Sequence, residues 1–345
     1  MNHSVFRNKT LTSWFDFRLS VVVISLCIIG LILNITLCVT IFTKKNLQQP
    51  INRLIANLAI SDMIHCILLS FKFTYPAVVA SNPQFYSNLS FSTITLVCNT
   101  LAFTGILGVS SSMITLAVIG IERYRAIIYP LKSPLSKQHI KFFFPVIWTI
   151  SVTTALILVV GRDYTTYEVL DCTGAFSSRG TVRNAALTTI FATISIFIPI
   201  VIIICCYVTI AIKLCRKTIP MDESDYKIHM ARIEHKKNAC VVTLLVMTIL
   251  SALSFCPFST LFLWITYSKL LNPQLHKTLP YQFWSLFQSF IILLILPCIL
   301  NPILYNIASN SYRKEMKNLL KSIGLPIFRR KIWPESKKTD STSRK

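Results

Sequence analysis

The chain has 345 residues and a net charge of +22, yet only 14% of its residues are charged and 53% are hydrophobic. Soluble domains carry about a quarter charged residues, so this balance excludes a water-soluble globule. The Lys and Arg residues sit in short clusters between apolar runs, which argues against nucleic acid as a partner, and the 11 cysteines include no CxxC pair or Cys/His ligand spacing that would suggest a metal centre.

Crossing roughly 30 Å of hydrocarbon takes about 20 apolar residues in a helix. Seven runs meet that length: 19–42, 54–79, 95–127, 142–161, 186–214, 239–266 and 283–305. The pattern predicts an all-α membrane protein, a seven-transmembrane helix bundle followed by a short amphipathic helix on the cytoplasmic side. Residues 1–18 form an outer terminus, 19–308 the bundle, 309–321 the amphipathic helix and 322–345 a disordered basic tail. The first run is too long for a signal-peptide core and ends on Lys44-Lys45, so it reads as a retained span. With the N-terminus outside, 26 of the 35 Lys and Arg residues fall on the inner side. Positive charge marks the cytoplasmic face, so N-out and C-in is expected. Sequons at Asn2, Asn8 and Asn88 fall on the outer side as candidate glycosylation sites. Cys27, Cys38, Cys66, Cys205, Cys206 and Cys256 lie within apolar runs and read as small packing residues.

Three polar positions stand out inside the spans. Asp62 lies in the middle of the second, where a carboxylate costs about 2.5–3.5 kcal/mol and needs interior partners. It is either a hydrogen-bonded structural Asp or a polar switch or ion site. Glu122-Arg123-Tyr124 closes the third span, 25 residues after Cys98, or about one membrane crossing. An acid beside an Arg at a helix end can hold the Arg locally. Asn301-Pro302-Ile303-Leu304-Tyr305 ends the seventh span. There Pro302 frees a backbone carbonyl, Asn301 can compensate with hydrogen bonds, and such a point can rearrange between two packings.

Taken in order, one per span, these elements resemble the rhodopsin-like G-protein-coupled receptors. Asn34 fits the Asn of that family's first helix, Asp62 the carboxylate of the second, Arg123 the Arg of the third and Trp148 the Trp of the fourth. Pro199 and Tyr207 fit the fifth, Phe255-Cys256-Pro257 the sixth, and Asn301 to Tyr305 the seventh. The match covers roughly 19–321. Departures are Phe255 for the usual Trp, Ser254 for the usual Cys, Pro297 where Asn or Ser usually helps bind sodium, and no tail Cys for a palmitoyl anchor. The resemblance implies an activation switch of Asp62, Glu122, Arg123, Tyr207, Phe255, Pro257, Asn301, Pro302 and Tyr305. It also implies a disulfide between Cys98 and Cys172 and an allosteric sodium ion at Asp62, Ser112 and Asn301, with no other cofactor. Residues 164–170, beside Cys172, are β-branched and aromatic and suggest a hairpin, which in this family is typical of peptide receptors.

The resemblance also bears on the ligand. Aminergic members carry an Asp where this chain has Gly105, and opsins a Lys where it has Ile295. Neither a biogenic amine nor retinal is therefore expected. Lys72 either snorkels to the headgroups or meets a ligand carboxylate or acidic peptide residue. Phe191, Phe258, Phe262, Gln288 and Ile291 would complete an aromatic, apolar pocket with Gly105 and Lys72. That pocket suits a peptide, which is the expected ligand, and a lipid acid or small carboxylate is the alternative. The expected partners are a heterotrimeric G protein, arrestin, an extracellular ligand and the bilayer of the plasma membrane. A transporter would show internal repeats, a channel a filter and an enzyme a catalytic constellation, and none of these is visible in the sequence.

Overall fold

The computed structural model describes residues 3–81, 90–131, 137–160, 182–216, 224–272, 289–290 and 292–322. Among them every regular element is helical: α1 (His3–Thr43), α2 (Pro50–Ser81), α3 (Phe91–Ile128), α4 (Lys137–Val160), α6 (Ser224–Leu271), α7 (Ile295–Ala308) and α8 (Asn310–Ser322). The remaining one, α5, is made of two pieces, Val182–Ala192 and Ile198–Arg216, joined by a π-helical turn, Thr193–Phe197. Six helices contain stretches long and apolar enough to span a membrane, and α7 is a shorter apolar helix among the described residues.

Two helices outrun their expected spans. α1 begins at His3, within the segment assigned to the outer terminus, and α6 begins at Ser224, well before residue 239. Neither extension contains Gly or Pro, and that of α6 is rich in Ala, Lys, Arg, Glu and Met, which favour helix without any apolar requirement. Apolarity marks the membrane stretch of a helix and leaves its ends open.

α1 packs on α2 and α7, and α7 packs on α6, which packs on α5. α3 occupies the middle, touching α2, α4, α5 and α6. Burial along α5 shows how side chains sort. Ile203, Tyr207 and Ile210 are buried, while Val201, Ile204, Val208 and Ile212 are exposed. An exposed apolar stripe at helical spacing is what lipid demands. Cys205 lies on that outer stripe, so it is not the interior packing residue expected, whereas Cys27, Cys38, Cys66 and Cys206 are buried.

Candidate functional site

The interior of the bundle is threaded by polar groups that hold the helices to one another. Ser110, Ser111 and Ser112 of α3 point in successive directions around the helix and meet three different neighbours. Ser110 Oγ donates to Ser195 Oγ at 2.8 Å, in the π-helical turn of α5. Ser111 Oγ donates to Ser61 Oγ of α2 at 2.7 Å. Ser112 Oγ donates to Asp62 Oδ1 at 3.0 Å, and Asn301 Nδ2 of α7 donates to Asp62 Oδ2 at 3.0 Å. The carboxylate, 2% exposed, thus ties α2, α3 and α7 together, as an intramembrane acid requires. Lower down, Asn57 Nδ2 donates to Thr115 Oγ1 at 2.8 Å, and Asn57 Oδ1 accepts from Trp148 Nε1 at 3.0 Å.

Pro302 has no N–H, so the carbonyl four residues earlier, that of Cys298, lacks its helical partner. Asn34 Nδ2 supplies one across the bundle at 2.7 Å, and also donates to Gly30 O at 2.8 Å. The carbonyl that Pro302 leaves free in α7 is therefore satisfied from α1. Among possible cation donors, Asn301 Oδ1 is buried and accepts no hydrogen bond among the described residues. The Asp62 carboxylate, Ser112 Oγ and this unused oxygen make an all-oxygen donor set suited to a hard cation. Pro297 adds no side-chain oxygen to it.

At the inner end, Arg123 Nε lies 2.7 Å from Glu122 Oε2. Tyr207 is buried beside Gly120, whose added Cβ would meet the Tyr207 ring at 3.8 Å. Tyr305 faces elsewhere. Its hydroxyl donates to Asn52 Oδ1 of α2 at 2.8 Å, and its ring lies 5.1 Å from that of Tyr312. Tyr312 belongs to α8, which starts where Ser309 Oγ accepts from Tyr312 N at 3.2 Å. Burial pushes the Tyr312 phenol up to about 12. Lys213 Nζ donates to Ile128 O at 2.6 Å, placing a cation on the negative end of α3.

At the outer end, Phe191, Phe255, Phe258 and Phe262 are all buried, and the last two stack with centroids 6.1 Å apart. Pro257 lies within α6 between Phe255 and Phe258. Lys72 is half-buried on α2. Gly105, expected at the ligand pocket, is buried where α3 meets α2: a Cβ there would lie 2.3 Å from Leu68 Cδ2, so its missing side chain lets the two helices approach closely. Cys98 is buried and disulfide-bonded. Cys172 with its suggested hairpin, Gln288, Ile291, Asn2 and Asn88 lie outside the described residues, and of Asn8 only the helical backbone is described.

Sequence reasoning missed Asn52, Asn57, Ser110, Ser111 and Ser195 and passed over His65, which packs edge-on against Phe255 at 6.4 Å. One signal was available. Asp62, His65, Leu69 and Lys72 recur at three- and four-residue spacing and so share a face of α2.

Comparison with known proteins gives this arrangement a setting. The family described as 7 transmembrane receptor (rhodopsin family) matches residues 33–305. Neuropeptide FF receptor 1 of Rattus norvegicus is 28% identical over 313 residues, covering 85% of this chain and 67% of that protein. Neuropeptide Y receptor type 2 of Homo sapiens is 25% identical over 302 residues, covering 84% and 72%. The RYamide receptor of Drosophila melanogaster is 28% identical over 318 residues, covering 90% and 64%. The chain spans about two thirds of the length of the neuropeptide FF receptors it matches. Squid rhodopsin shares the fold, with a TM-score of 0.65 at 19% identity over 90% of this chain and 86% of that one. The family match encloses both the polar relay around Asp62 and the inner residues Arg123, Tyr207 and Tyr305, and the chain belongs to the rhodopsin family of seven-transmembrane receptors rather than to a class of enzymes.

Proposed function

We propose that this receptor sits in the plasma membrane with its N-terminus outside, binds an extracellular peptide and activates a heterotrimeric G protein, with arrestin as a later partner. The observation that carries the signalling half is the separation of the inner residues into local contacts. Arg123 is held by its neighbour Glu122, and Tyr305 is held by Asn52. Both contacts can be exchanged for others if α6 swings outward, so the inner face has the makings of a two-state element. In that exchange Arg123 leaves Glu122, Tyr305 leaves Asn52, and both approach Tyr207 to form a surface for the G protein.

A ligand can drive this only by binding one packing more tightly than the other. The aromatic cluster around Phe255 and Phe258 is where outer contacts meet α6. Its apolar character suits the aromatic side chains of a peptide, and the three relatives named above are, by name, receptors for neuropeptides or RYamide. A bound sodium ion would be held by Asp62, Ser112 and Asn301, where it would favour the resting packing by tying α2, α3 and α7.

The test is nucleotide exchange on a panel of G proteins by the purified receptor, challenged separately with amidated peptides and with lipid or small carboxylates. Acceleration by a peptide supports the proposal. Acceleration by carboxylates alone moves the ligand class to lipid or small acid. No acceleration by any ligand, on any G protein, counts against the signalling half.

A further inference from the structure

The interior face of α2 carries a buried imidazole, that of His65. His65 is 3% exposed, and neither ring nitrogen has a hydrogen-bond partner among the described residues. The ring meets Phe255 of α6 at 6.4 Å with an interplanar angle of 82°. Two glycines of α3 bring it there. A Cβ on Gly108 would lie 3.4 Å from His65 Cβ, His65 N and Ser61 O, and one on Gly105 only 2.3 Å from Leu68 Cδ2. A larger residue at Gly105 would force Leu68 aside or move α2 away from α3. α2 is thus seated in a shallow groove on α3, and His65 reaches past it to the segment of α6 just before Pro257.

We infer that His65 is a positioning residue for activation, which sets the resting place of Phe255 and makes that packing less stable than an apolar residue would. A neutral imidazole has one donor and one acceptor. Burying either without a partner is unfavourable, because water would have satisfied both. The penalty belongs to the packing in which the ring is sealed against Phe255. Displacement of α6 opens the ring to other groups and relieves it. His65 therefore biases the equilibrium toward the active packing, and an apolar side chain of similar size would hold α6 at rest.

The experiment compares the full-length receptor with His65→Leu and His65→Phe, purified in detergent. Thermal unfolding and agonist-free nucleotide exchange are measured at equal receptor concentration. Both variants are expected to unfold at least about 2 °C higher and to exchange at least about fivefold more slowly than the parent. A midpoint that is unchanged or lower in both, including failure of both to fold, overturns the inference, because the ring is then satisfied or simply stabilising. A higher midpoint with measurable exchange unchanged or raised overturns it too, because the penalty is then shared by both packings. The signalling half rests on the proposed receptor function. If the parent receptor catalyses no exchange on any G protein, that reading suffers, and the unfolding midpoint alone judges His65.

Discussion

Asn52→Ala should turn the receptor on. In the resting packing the Tyr305 hydroxyl, on a side chain 5% exposed, donates to Asn52 Oδ1 at 2.8 Å. Removing the acceptor takes one hydrogen bond from a buried hydroxyl, which destabilises that packing by about 1–2 kcal/mol. In the active packing Tyr305 has left Asn52, so nothing comparable is lost there. The active-to-resting ratio then rises about 5- to 30-fold. Agonist-free nucleotide exchange at matched surface expression reads this directly. Asn52 Nδ2 also donates to Leu47 O at 2.9 Å, so a loosened inner loop is a rival cause. The two separate in a Tyr305→Phe background, where the Asn52–Tyr305 bond is already gone. There Asn52→Ala should change exchange little, because the two residues act as a unit. No rise in the single variant, or an equal rise in both backgrounds, refutes the reasoning.

Cys98→Ala and Cys172→Ala should each reduce surface delivery to a similar extent, with the double change no worse than either. Additive losses would show that the two cysteines are not each other's partners. By the family resemblance, an acid that pairs with Arg123 is expected at the place Lys237 holds on α6, so Lys237→Glu should lower agonist-free exchange; a rise would contradict the assignment. Asp62→Asn should abolish any effect of sodium concentration on agonist binding, measured by competition in sodium against a larger monovalent cation; sodium sensitivity that persists would place the ion elsewhere.

The helices and their order were legible in the sequence because lipid imposes a length and an apolarity that a chain cannot disguise. The ends of α1 and α6 were not, because helix continues into water wherever Gly and Pro are lacking. Asp62 and the Asn301–Tyr305 segment stood out because polar groups and proline in a span demand compensation. Their partners did not. Ser112 is 50 residues from Asp62 and Asn301 is 239, and pairing across such separations depends on how each helix is rotated in the bundle. The same rotation sets the packing role of Gly105, where a Cβ would meet Leu68 of α2. Ser110 and Ser111 lie in a run of three serines that looks like an ordinary small-residue stretch until their three directions are known. Asn52 was hidden at the inner edge of the second span, where a polar residue is unremarkable.

The central claim is a division of labour: the inner cluster carries activation, and the outer face of α2 and α6 carries ligand choice. It is tested most directly by G-protein nucleotide exchange and agonist binding on Arg123→Ala and Lys72→Ala at matched surface expression, using whichever peptide activates the parent receptor. The account predicts that Arg123→Ala loses exchange while still binding agonist, and that Lys72→Ala shifts agonist potency while sparing agonist-free exchange. Normal signalling by Arg123→Ala, or loss of agonist-free exchange in Lys72→Ala with potency unchanged, would contradict it.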